Sequence, residues 1–201
     1  MPLLAPTLQA QMVGEFSSAG ILGTYSIPLA NALSQGIATH IVTGQIVTID
    51  VGILGIGTGN GKVSGVSPGT LTPMLIGQFS SQGILGSYSA ALAGAISNAF
   101  CTWFLANNIV TTIDATVGIG TGTGQVVGLV SSAMQSLIFG FMQGNGIAGT
   151  YSNSLAQAVA TSVCTVTMST GVVTTVIVGS PVPPPPTGPL PGSGSGSGIL
   201  F

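Results

Sequence analysis

GILGTYS (20–26), GILGSYS (83–89) and GIAGTYS (146–152) are three near-copies of one heptapeptide, and consecutive copies stand 63 residues apart. An equal spacing that occurs twice is the signature of a repeat architecture. The run before each copy is apolar at every fourth position, with Leu8, Met12 and Phe16 before the first copy and Leu71, Leu75 and Phe79 before the second. That period predicts one buried face of a short helix. Each copy leads into an alanine-rich run, LANAL (29–33), LAGAI (92–96) or LAQAV (155–159). Leu29, Leu33, Ile37 and Ile41 form a second helical stripe with Ala30, Ala38 and Val42 beside it, matched by Leu92, Ile96, Phe100 and Phe104. About seventeen residues at 1.5 Å each give this helix roughly 26 Å. Ser26, Ser89 and Ser152 stand where an N-cap oxygen accepts a backbone N–H, and Pro28 suits a first turn.

After each helical pair the sequence turns β-rich. GQIVTIDVGILGIGTGNGKVSGV (44–66) and NNIVTTIDATVGIGTGTGQVVGL (107–129) are dense in Val, Ile and Thr and broken by Gly. They predict a strand, a glycine turn and a second short strand. TGVVTTVIVG (170–179) keeps the first strand, whereas SPVPPPP (180–186) replaces the glycine turn, a modified end such as terminal repeats show. The expected fold is therefore α+β: one domain over 1–180 made of three tandem repeats, 7–69, 70–132 and 133–180. Each is a helical pair followed by a β strand or hairpin, and 181–201 is an extended C-terminal arm.

Charge sets the physical problem. Glu15, Asp50, Lys62 and Asp114 are the charged residues among 201, or 2%, with a net charge of −2, against roughly 25% in soluble domains. A freestanding surface needs more than this to resist association, so most of it is expected to be covered. The mean hydropathy of +0.73 raises a membrane as the cover. A spanning helix needs about 20 consecutive apolar residues, and Gly, Ser, Thr, Asn or Gln interrupts every apolar run. A signal peptide begins with basic residues; none precedes Lys62, so MPLLAPTLQAQM (1–12) reads as a mature start. The expected cover is other protein.

Catalytic and cofactor patterns are sparse. A P-loop needs G-x-x-x-x-G-K-[ST]; here Val63 follows Gly61-Lys62, Ile56 takes the place of the first Gly, and Gln125 replaces the Lys in the second copy. The alternating Gly57, Gly59, Gly61 and Gly120, Gly122, Gly124 also miss G-x-G-x-x-G, which favours a turn or a flat, close-packed backbone. With one Lys and no Arg, phosphate neutralisation is missing, and nucleic acid is not an expected partner. His40 is the single histidine and lacks metal-ligand partners nearby in sequence; a structural, helix-terminal role is expected. Asp50 in VTID and Asp114 in TTID read as one site in two repeats, offset by one residue, serving a turn or interface hydrogen bond before acid/base work. Cys101 and Cys164 lie 63 apart and match Ala38, which suggests small buried hydrophobes, with a disulfide open if the helices bring them together. Trp103, the single tryptophan, is either an interface anchor or core. No cofactor and no metal are expected.

The two ends of the chain, MPLLAPTLQAQM (1–12) and PPPPTGPLPGSGSGSGILF (183–201), with the Ala- and Leu-rich helical pairs between them, resemble small virion structural proteins of tailed bacteriophages. The Val-, Ile- and Gly-rich β segments depart from that pattern. The resemblance implies a virion component of tail, baseplate or neck, bound to other virion proteins or to copies of itself in a large oligomer, and not an enzyme. PVPPPPTGPLP (181–191) predicts a polyproline arm of roughly 34 Å at 3.1 Å per residue. On such a tether Ile199, Leu200 and Phe201 read as an apolar plug for a neighbour's pocket, with Trp103 as a second candidate partner contact. Two alternatives are a self-assembling fibre or surface-layer protein that pairs strand edges between copies, and an oligomeric membrane-active protein.

Overall fold

The computed structural model describes residues 5–53, 56–114, 119–170, 172–179 and 192–200. Its elements are α1 (Ala5–Ser18), α2 (Ser26–Val42), β1 (Gln45–Ile53), β2 (Ile56–Ser64), α3 (Pro68–Ser81), α4 (Ser89–Asn107), β3 (Ile109–Asp114), β4 (Ile119–Val127), α5 (Ser131–Gly144), α6 (Ser152–Thr170), β5 (Val172–Gly179) and β6 (Gly192–Leu200). The fold is α+β.

Each of the shorter helices buries one narrow stripe: Leu8, Met12 and Phe16 on α1, Leu71, Leu75 and Phe79 on α3, Met134, Ile138 and Met142 on α5. The longer helices α2, α4 and α6 bury more, and much of that surface is Ala, Ser or Gly. Small side chains let the helix axes approach; a Cβ on Gly36 would strike the Leu75 side chain across the α2–α3 contact. Neighbours pack in chain order from α1 to α6, and α6 packs back on α1, so the helices close a ring. Phe100, Trp103 and Phe104 fill part of its interior, the two phenylalanines stacked at 5.3 Å between ring centroids. By length and composition α4 is apolar enough to cross a membrane, but here its Ile96, Phe100, Trp103 and Phe104 are buried. Val42, expected beside the buried stripe of α2, is instead exposed at the helix end.

The strands pair antiparallel in chain order, and β6 pairs back on β1 to close a barrel. Side chains alternate across its wall: Ile46, Thr48, Val63, Val110 and Val126 are buried, whereas Val47, Ile49, Lys62 and Ile109 are exposed. Eight strands give an interior just wide enough to be filled by side chains, so six leave less room. Glycine resolves the crowding. Thr48 lies opposite Gly61 on β2 and Gly196 on β6, and a Cβ on Gly61 would collide with the Val47 carbonyl oxygen and sit 2.8 Å from the Thr48 Cα. The repeated G-x-G-x-G is therefore strand, not turn: GTGNG (57–61) lies within β2 and GTGTG (120–124) within β4. The expectation of a glycine turn in these segments is corrected, and Gly61 shows the close packing of the backbone.

The C-terminal expectation is corrected too. Gly192–Leu200 is not a free tether but β6, paired with β1 on one side and β5 on the other. Its GSGSG (194–198) repeats the alternation of β2 and β4, with Ser195 and Ser197 facing solvent. A glycine-alternating strand thus follows the proline-rich segment in sequence. Residues 180–191, which hold the expected polyproline arm, lie outside the described residues.

Asn108 joins helix and barrel. Its backbone position continues the β2–β3 register two pairs past Gly61↔Val110, opposite Val63. There the side chain substitutes for the missing ladder. Its Oδ1 accepts the Val63 N–H at 2.6 Å, while Nδ2 donates to the Val63 carbonyl at 3.2 Å and to that of Phe104 at 2.6 Å. Both backbone groups of a buried residue are thereby satisfied, as burial demands.

Candidate functional site

The three heptapeptides form the α1–α2, α3–α4 and α5–α6 corners. At each, the first glycine takes a left-handed φ, +71° at Gly20, +70° at Gly83 and +68° at Gly146, a conformation glycine adopts without steric cost. The next N–H reaches back five residues: Ile21 to the Phe16 carbonyl and Ile84 to that of Phe79, both at 2.8 Å, and Ile147 to that of Met142 at 3.0 Å. This is the Schellman closure of a helix C-terminus. It fixes the isoleucine against the core and turns the residue after it outward. Leu22 and Leu85 are each 76% exposed, and Tyr25, Tyr88 and Tyr151 are 63%, 68% and 64% exposed.

The serines that close the heptapeptides do not cap the following helices as expected. Tyr25 and Tyr88 hold the N-cap positions of α2 and α4 without a side-chain cap bond. Ser26 and Ser89 donate their hydroxyls back to the Gly23 and Gly86 carbonyls at 2.8 Å, and Ser152 Oγ accepts the Gly149 N–H at 2.7 Å. The serines lock the corner rather than the helix, because the chain enters the helix one residue earlier than the sequence suggests.

Between the second and third corners lies an open cavity of about 600 Å³, lined by Ile84, Leu85, Tyr88, Leu92, Met142, Ile147 and Leu155 among others. A smaller depression of about 290 Å³ separates the first and third corners and is lined by Ile21, Leu22, Tyr25, Leu29 and Tyr151 among others. Neither lining contains a charged residue. This face presents aliphatic side chains and tyrosines; Tyr supplies large, rigid, amphipathic contact area suited to protein interfaces. Such a face is chemically suited to an uncharged contact surface and not to a charged one.

The other sequence candidates lie elsewhere. Trp103 is fully buried and donates from Nε1 to the Val130 carbonyl at 2.9 Å, so it is core and not an exposed partner contact. Ile199 and Leu200 sit inside β6, opposite Gln45 and Thr174 and opposite Val173; their side chains, and all of Phe201, lie outside the described residues. The apolar-plug reading loses its tether. Asp50 pairs in register with Gly59 and Gly194, and Asp114 with Gly57 and Gly122. The one-residue offset seen in sequence thus vanishes in the barrel, although the two carboxylates themselves lie outside the described side chains.

Cys101 and Cys164 are buried free thiols, each pushed up to about 12 by burial. His40 is buried, accepts the Ser67 N–H on Nε2 at 3.1 Å, and is held below its usual pKa by burial. Among the described residues no three metal-ligating side chains cluster. The sequence does not single out the exposed tyrosines, because the heptapeptide that holds them also marks a helix boundary; their 63-residue recurrence is the available signal. A comparison with protein-family models, with curated proteins and with solved structures finds no match to this chain.

Proposed function

We propose that the chain is a non-enzymatic structural component of a phage particle, built from three copies of one helix-helix-strand-strand unit closed around a common axis. The particle assignment rests on the resemblance of the chain ends; the units rest on the recurring element order and the 63-residue spacing. The observation that carries the reading is the corner face. It exposes Tyr25, Tyr88 and Tyr151 at one repeat position and Leu22 and Leu85 at another, on a protein with 2% charged residues. Exposed apolar patches of this kind mark interaction sites. A closed arrangement of three units within one chain suits a three-fold or six-fold symmetric virion partner, with a single copy on the axis.

The alternative of a fibre paired edge to edge gains no support, because every described strand is paired on both sides. The test of the proposal is incorporation. Replacing Tyr25, Tyr88 and Tyr151 together by Ser removes contact area while leaving the core untouched. The variant is expected to fold with unchanged circular dichroism and to fall at least tenfold in abundance in purified particles, a loss that about 1.4 kcal/mol of contact energy already produces. Normal incorporation, or absence of the wild-type chain from every particle fraction, contradicts the proposal.

A further inference from the structure

One ring nitrogen ties the last turn of α2 to the start of α3. His40, in the last turn of α2, accepts the N–H of Ser67, the N-cap residue of α3, at 3.1 Å. Ser67 Oγ is engaged separately, accepting the Gly69 N–H. The corresponding junction one spacing along is held by Trp103, whose Nε1–H donates to the carbonyl of Val130, the N-cap residue of α5. The same position thus ties a helix end to the start of the next helix in both places, with opposite polarity. An indole N–H only donates, and an imidazole nitrogen that accepts must be unprotonated.

We propose that His40 is an acid-sensitive latch, whose protonation opens the α2–α3 junction of the helix ring while the Trp103-bound α4–α5 junction stays closed. A proton on Nε2 would set one donor against another and place a positive charge in a buried site. The groups packed around it offer no compensation. Cys101 of α4 faces the ring, its Sγ 3.9 Å from Nε2, and burial keeps that thiol neutral. The α3 helix carries no titratable side chain. On α1 the one such group is Glu15, a turn from the corner where α2 begins, so at the opposite end of α2 from His40, and bonded to Gln11. The strand that touches α2, β6, is glycine and serine up to its last two residues.

Burial lowers the His40 pKa from 6.5, so the folded state binds this proton less readily than the unfolded chain. The sign follows: the neutral-imidazole contribution is fully present above about pH 6.5 and is lost as pH falls below it, toward the folded-state pKa. His40 is the single histidine and burial pushes both thiols up to about 12, so its proton dominates the change between about pH 7 and 5.

Two measurements on the full chain test the latch. In the intact protein the imidazole NMR signals, which need no assignment with one histidine present, should titrate below pH 6.5. Amide exchange, corrected for its intrinsic pH dependence, should rise in residues 40–44 and 66–71 by up to about tenfold per pH unit below that point, and stay flat in 103–107 and 128–134. His40→Gln, whose side-chain carbonyl can accept the same N–H without titrating, should abolish the rise. Titration at or above pH 6.5, equal opening of both junctions, or an unchanged rise in H40Q would overturn the proposal. Should H40Q fail to fold, the wild-type titration and exchange decide alone.

Discussion

At Gly61 the barrel leaves no room for a single methyl group. A Cβ there meets the backbone of Val47 and Thr48, neither of which can yield without disturbing the β1–β2 ladder. Gly61→Ala is expected to cost about 3 kcal/mol, the upper end of overpacking penalties, and to lower the melting temperature by about 10 °C for a domain of this size. Gly77→Ala, on an exposed helical surface with nothing near its Cβ, serves as the control and should be neutral or slightly stabilising. Equal melting temperatures for the two variants would refute the close-packed interior. At this scale the sequence was informative about burial: Leu8, Leu33, Ile37, Leu71 and Phe100 are core where the periodicity put them. It was silent on partners through space. Nothing in the sequence indicates that Asn108 completes the ladder of Val63, or that His40 meets Ser67, because those contacts arise only when separate elements pack together.

Among elements, β6 carries most of the lesson. Read alone, GSGSGSG has the composition of a flexible linker. In the barrel the alternation turns Ser195 and Ser197 outward, as Thr58 and Asn60 on β2 and Thr123 on β4 are turned outward, with glycine at the positions between. The helices were legible because an apolar period of 3.6 is a local signal, and their corners because glycine at a left-handed φ is a local demand. The glycine strands were not, because a strand without large side chains is stabilised by its neighbours' room requirements, which no local window contains. Ending the chain at residue 191 should therefore open the barrel and bare the β1 and β5 edges, and unpaired edges template association. Size-exclusion chromatography of the truncated protein should show aggregates in place of the native species. A native elution volume and an unchanged melting temperature would mean that the C-terminal segment is a dispensable arm.

The whole molecule joins a ring of helices to a six-stranded barrel, each closed on itself. Closure bears on how such a protein assembles. Barrel closure abolishes free edges, which leaves the corner face, with its tyrosines and two open apolar depressions, as the surface best suited to bind. Under the proposed reading, three like units in one chain would need no second copy to match a symmetric partner, and the three corners would engage three equivalent subunits at once. Such multivalent contact multiplies weak individual interactions. The most direct measurement is cryo-EM of purified phage particles containing this protein, reconstructed without imposed symmetry around it. One copy is expected on a three-fold or six-fold axis, its Tyr25, Tyr88 and Tyr151 corners against neighbouring virion proteins; copies lying off the axis, or corners facing solvent, would overturn the proposed role.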